Sequence, residues 1–149
     1  MSYYVLCADP ALAEFGAAMV RVGPDRSMDT ITSMACIRTE KSKGNVSASE
    51  DVHRRAQEVA RFLVGMKGDR RLLGIIREAE SHVRNSGAAT KVGRSFGVLD
   101  TLALVWGVPT TEVSPQSLKK RLCGSSSAAK SSVRKVVESG GLIRDEGAM

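Results

Sequence analysis

At 149 residues, the chain has the size of one domain and can bury a real core. Its 42% hydrophobic and 26% charged residues describe an ordinary soluble globular composition. No apolar run approaches the roughly 18 residues that cross a bilayer, and no leader-like segment opens the chain, so no membrane partner and a cytoplasmic location are expected.

The net charge of +6 is unevenly placed. Between Glu112 and Glu138 there is no acid, yet Lys119, Lys120, Arg121, Lys130, Arg134 and Lys135 all fall there. A one-signed stretch of this kind attracts polyanions through phosphate neutralisation and counterion release, although a solvated basic surface has the same composition. Cys7, Cys36 and Cys123 are odd in number and widely spaced, which fits neither a disulfide framework nor a zinc site. Cys7 and Cys36 are expected to behave as small core hydrophobes. With His53 and His82 as the sole histidines, a metal here would take oxygen ligands, which points to Mg²⁺ or Mn²⁺.

In chain order, residues 3–9 read as a buried strand ending in Asp9-Pro10, and 15–22 as a second strand with Gly16 at its start. Gly23-Pro24-Asp25-Arg26 is a turn. Residues 28–38 form a third, antiparallel strand with Ile31, Met34, Cys36 and Ile37 inward, completing a meander. The polar stretch from Thr39 to Ser49 is a mobile loop. Ser49 then caps a helix whose inner face carries Val52, Ala56, Val59, Ala60, Leu63 and Val64, stopped by Gly65 and Gly68. Leu72-Leu73-Gly74-Ile75-Ile76 reads as a fully buried strand parallel to the first, running into Arg77-Glu78-Ala79-Glu80. A long helix follows, with Ala88, Val92, Phe96, Leu99, Ala103 and Trp106 on one side, ended by Gly107 and Pro109. Thr110–Val113 is a last short strand. Ser114 before Pro115 starts a short helix through Leu118 and Leu122. Gly124–Ser127 is a break, and Ala129, Val133, Val136 and Val137 mark a final amphipathic helix. The sum is an α/β fold: a mixed five-stranded sheet, antiparallel meander plus parallel strands, flanked by helices.

Two strands thus end in carboxylates, one at Asp9 and one at Glu78 or Glu80. As parallel neighbours they would emerge at one edge of the sheet, the usual place for ligand sites in α/β folds. Converging carboxylates repel unless a cation or a proton sits between them. The plainer alternatives are that Asp9 starts a turn before Pro10 and that Glu78 and Glu80 are solvated loop acids.

Three stretches carry a family resemblance: Asp9-Pro10-Ala11-Leu12 through Gly16; Arg84-Asn85 through Ala89, Lys91 and Gly93; and Lys119 and Lys130 around Gly124, Ser127 and Ala128. In this order they resemble the RuvC-like Holliday junction resolvases of the ribonuclease H-like superfamily, in a diverged, phage-type form. The resemblance implies a ribonuclease H-like fold and a metal-dependent endonuclease resolving four-way or other branched DNA by paired nicking. It implies metal ligands at Asp9, Glu78, Glu80 and Asp145, and catalytic roles for Asp9, Glu78, Lys119 and Lys130. Contacts to DNA would come from Lys119, Lys120, Arg121, Lys130, Arg134, Arg84 and Lys91. A homodimer packed through the long helix, with Leu102, Leu104 and Val105 exposed, is also implied.

There are departures from the family pattern. Ala11 stands where the family has Gly, and Ser81 and His82 occupy the place of a wedging aromatic. The family closes on Asp-x-x-Asp-Ala, whereas this sequence reads Asp145-Glu146-Gly147-Ala148-Met149, and Ala148 cannot hold metal. A shortened chain, a rebuilt last helix and a weak site all fit that ending. The competing expectation is a catalytically incomplete DNA-binding relative.

Overall fold

The computed structural model describes residues 2–25, 28–79 and 86–139. Five strands, β1 (Tyr3–Asp9), β2 (Glu14–Val22), β3 (Met28–Arg38), β4 (Arg71–Glu78) and β5 (Thr110–Val113), form one sheet in the order β3-β2-β1-β4-β5. The first three pair antiparallel as the expected meander, and β4 joins β1, and β5 joins β4, in parallel. Helices α1 (Ala48–Lys67), α2 (Ser86–Trp106), α3 (Pro115–Cys123) and α4 (Lys130–Ser139) complete the expected mixed α/β architecture. No helix is long and apolar enough to cross a membrane among the described residues.

Alternation along each strand sends side chains to opposite faces of the sheet, and one face makes the core. Leu6, Phe15, Met19 and Ile75 are buried there against Val59 and Leu63 of α1 and Leu99 and Ala103 of α2. Burying each of these larger side chains contributes about 1.5–3 kcal/mol. The opposite parity places Cys7 and Asp9 of β1 with Ile76 and Glu78 of β4 on the other face, at the end of the sheet where both parallel strands finish.

Several local expectations change. Met34 and Cys36 are exposed, because they pair across Ala18 and Gly16 on the face away from the helices. Cys7, on that same face, is half-buried. In β4 only Ile75 is buried and Leu73 is largely exposed, so an apolar run that looked two-sided is covered on one side. Ser47, not Ser49, caps α1: its side chain accepts the Glu50 N–H, which starts the helix two residues early, and Val64, expected on the inner face, is half exposed. Leu102 packs against the core, whereas Leu104 and Val105 stay exposed.

Candidate active site

Asp9 and Glu78 terminate adjacent parallel strands. The β1–β4 ladder runs through Ala8 opposite Arg77, so the next residue of each strand is a carboxylate on the same face. Gly16 lies opposite Asp9 in β2, and a Cβ there would sit 3.7 Å from the Asp9 Cβ, in ordinary contact. The Glu78 carboxyl is pushed above its ordinary range by desolvation and by the Asp9 carboxylate, which lies within hydrogen-bonding reach. Like charge beside Glu78 disfavours its ionised form, and a cation between the two carboxylates would relieve that repulsion. The charge of Asp9 also reaches across β2 to Cys36, whose thiol is pushed up by desolvation and by the adjacent Glu14 carboxylate.

Two lysines oppose this effect. Both Lys119 and Lys130 act on Glu78, lowering its proton affinity. Their placement follows from local sequence. Val113 pairs with Glu78, and its carbonyl accepts the Ala79 N–H at 2.9 Å, so β5 ends beside the carboxylates. Ser114 caps α3 one residue later by accepting the Ser117 N–H, with Pro115 at the first helical position. Lys119 thus stands little more than one turn from the sheet edge. Gly124 closes α3 in a left-handed conformation (φ 75°), donating its N–H to the Lys120 carbonyl. Beyond that turn, Lys130, the first residue of α4, also lies within electrostatic reach of Glu78.

The structure thereby brings together Asp9, Glu78, Lys119 and Lys130 from four separate elements. Lys120, Arg121 and Arg134 are exposed on α3 and α4, and Lys91 is exposed near the start of α2. Glu80, Arg84 and Asp145 lie outside the described residues. Among the described residues, no group of three or more His, Cys, Asp and Glu side chains is arranged to hold a metal. Two carboxylates in contact nevertheless present oxygen donors only, and fit a hard divalent cation that would offset their mutual repulsion.

Arg77 is a residue the sequence reading passed over. It points to the helical face, where its guanidinium meets Asp100 at 2.7 Å and Glu112 at 2.8 Å and lies 4.7 Å from the Phe96 ring centroid. It ties the end of β4 to both α2 and β5, directly behind Glu78. A lone arginine beside a strand-ending glutamate, of opposite parity, was the signal available.

The sequence matches no protein-family profile. Among solved structures, Thermus thermophilus RuvC is similar at 22% identity, covering 98% of this chain and 83% of that one, with a TM-score of 0.73. T. thermophilus RuvC in complex with a Holliday junction substrate is similar at 22% identity, with 98% and 82% coverage and a TM-score of 0.75. The yeast mitochondrial Holliday junction resolvase Ydc2 is similar at 14% identity, with 96% and 66% coverage and a TM-score of 0.63. The chain has the RuvC fold, a ribonuclease H-like mixed sheet flanked by helices, as the sequence resemblance implied.

Proposed function

We propose that the protein is a divalent-metal-dependent endonuclease that resolves four-way or other branched DNA junctions by paired nicking, a crossover junction endodeoxyribonuclease. The observation that carries this reading is the contact between Asp9 and Glu78 under the influence of Lys119 and Lys130. Asp9 and Glu78 would hold Mg²⁺ or Mn²⁺, joined by Glu80 and Asp145. Such an ion, when bound, supplies a more acidic water and Lewis-acid stabilisation of phosphoryl oxygens. The chain's own residues do the rest. The two carboxylates fix where the attacking water and the scissile phosphate meet, because each is set by a strand end rather than by a loop. Lys119 and Lys130 neutralise the extra negative charge on the five-coordinate phosphorus. Hydrolysis breaks the bond from phosphorus to the 3′ oxygen and leaves a 5′-phosphate and a 3′-hydroxyl.

Lys120, Arg121, Arg134, Arg84 and Lys91 would contact backbone phosphates, which positions DNA without reading its sequence. A four-way junction offers two equivalent phosphates, which suits a two-fold dimer. Leu104 and Val105, 81% and 72% exposed on α2, are the apolar positions offered to such a partner.

A second reading is a DNA-binding relative without catalysis, favoured by the presence of only two clustered carboxylates among the described residues. A synthetic four-way junction incubated with the protein in Mg²⁺ and in EDTA separates the two. Mg²⁺-dependent paired nicks support the nuclease, and tight junction binding without cleavage in Mg²⁺ or Mn²⁺ supports the second reading.

A further inference from the structure

Residues 39–47, between β3 and α1, carry no regular structure yet are tied down at one residue after another. The Thr39 N–H donates to the Ala13 carbonyl at 2.9 Å, and its hydroxyl donates to the Leu12 carbonyl, so the loop starts against the β1–β2 turn that follows Asp9. The Arg55 side chain donates to the Thr39 hydroxyl at 2.9 Å and to its carbonyl at 3.3 Å. Arg54 donates to the Glu40 carbonyl. The Ser42 N–H donates to Asp51 at 2.6 Å. Gly44 turns the chain at φ 83°, and Ser47 caps α1.

The network rests on Asp51 and Arg55, 5% and 4% exposed, joined by an ion pair at 3.3 Å. The Ser42 N–H, followed by the two arginines, holds the Asp51 carboxyl well below the usual carboxylate range. Burying such a pair gives up hydration that an apolar pair would not, so it is weak as a source of stability and strong as a means of fixing one backbone geometry.

What that geometry displays is positive charge. Arg38 is paired with Glu14, Arg54 with Asp51 and Glu58, and Arg55 with Asp51. Lys41 and Lys43 are exposed and have no ion-pair partner among the described residues, and Glu40 is the one acid of the loop. β3 ends at the same edge of the sheet as β1 and β4, two strands from Asp9. Asp9 is level with Cys36 across Gly16, and Thr39 lies three residues further on, so at about 4.8 Å per strand and about 3.3 Å per residue the loop begins about 14 Å from the Asp9 backbone. That is roughly four base steps of duplex rise at about 3.4 Å each. The lysines of α3 and α4 lie on the other side, beyond β4.

We infer that the 39–47 loop is a second phosphate-contact segment, in which Lys41 and Lys43 grip a nucleic-acid backbone on the side of the carboxylates opposite α3 and α4. The inference rests on the reading of the protein as DNA-acting and extends it to a surface that the basic 113–137 stretch does not include. Pre-stiffening by the Asp51–Arg55 network lowers the ordering cost of that contact.

The test is fluorescence anisotropy with a labelled four-way junction in EDTA across a salt series. The proteins are wild type, K41Q/K43Q, and R61Q/R71Q, which removes the same charge from exposed sites away from this edge. K41Q/K43Q is expected to unfold at the wild-type temperature, to bind about 10-fold more weakly, and to lose roughly one to two from the salt-dependence slope, whereas R61Q/R71Q stays near wild type. Wild-type affinity and slope in K41Q/K43Q, or equal weakening in R61Q/R71Q, overturns the inference while leaving the nuclease reading intact. Failure of the wild type itself to bind the junction removes both.

Discussion

Arg77 and Glu78 are consecutive residues of β4 that leave the sheet on opposite faces. Arg77 is clamped by Asp100 and Glu112, and Glu78 meets Asp9. The geometry of the carboxylate pair therefore depends on contacts made behind it.

Replacing that clamp should separate stability from positioning. The Arg77 side chain is 11% exposed but its partners are 60% and 49% exposed, so R77M is expected to cost only about 1–2 kcal/mol. Junction cleavage should fall about 10-fold or more, because the end of β4 is no longer held to α2 and β5. R77K keeps the charge but not the planar fork, and should recover only part of the activity. Single-turnover cleavage beside thermal unfolding checks this; undiminished cleavage in R77M would show that Glu78 needs no such support.

The raised proton affinity of Glu78 has a sign that can be tested. Its folded-state pKa lies above the unfolded value, so the metal-free protein loses stability as pH rises from about 4.3 through the folded value. E78Q should remove that decline and melt slightly above the wild type at neutral pH. Mg²⁺ or Mn²⁺ should raise the wild-type melting temperature more at pH 8 than at pH 5 and leave E78Q unmoved. Thermal unfolding at several pH values, with and without metal, is the measurement.

Lys119 and Lys130 both act electrostatically on Glu78, so their loss should affect turnover more than binding. K119Q and K130Q are each expected to lower single-turnover cleavage by about 10²-fold. Junction affinity should fall several-fold at most, with a salt slope reduced by roughly one per lysine. Equal losses in affinity and rate would make them phosphate anchors only.

Asp51 titrates in the opposite sense to Glu78. Its carboxyl is depressed by the Ser42 N–H and by Arg55 and Arg54, so its contribution is present above the ordinary value of about 3.9 and disappears as pH falls through the folded one. D51N is expected to melt several degrees lower at neutral pH and to lose less stability than the wild type on acidification. An unchanged acid limb in D51N would assign that limb to other carboxylates.

The strand order and the meeting of Asp9 with Glu78 were legible because each followed from a local pattern: an apolar run, a carboxylate at its end, and helices between parallel strands. The position of the lysines was legible from the resemblance alone, since nothing in periodicity brings both Lys119 and Lys130 within electrostatic reach of Glu78. Burial was harder to read. Met34 and Cys36 looked like core residues, but strand parity puts them on the face that the helices do not cover. The stretch before α1 looked mobile because it is polar, whereas its backbone is held by Asp51, Arg54 and Arg55 from the helix that follows. Such partners sit 9 to 16 residues away, beyond any local pattern.

Asp9 decides the matter most directly. Wild type and D9N should be compared on a labelled four-way junction in Mg²⁺, with end chemistry read from both nicked strands. The wild type should give paired nicks bearing 5′-phosphates, and D9N should bind the junction but leave it whole. Cleavage that persists in D9N would mean that phosphodiester hydrolysis does not occur at the edge where β1 and β4 end.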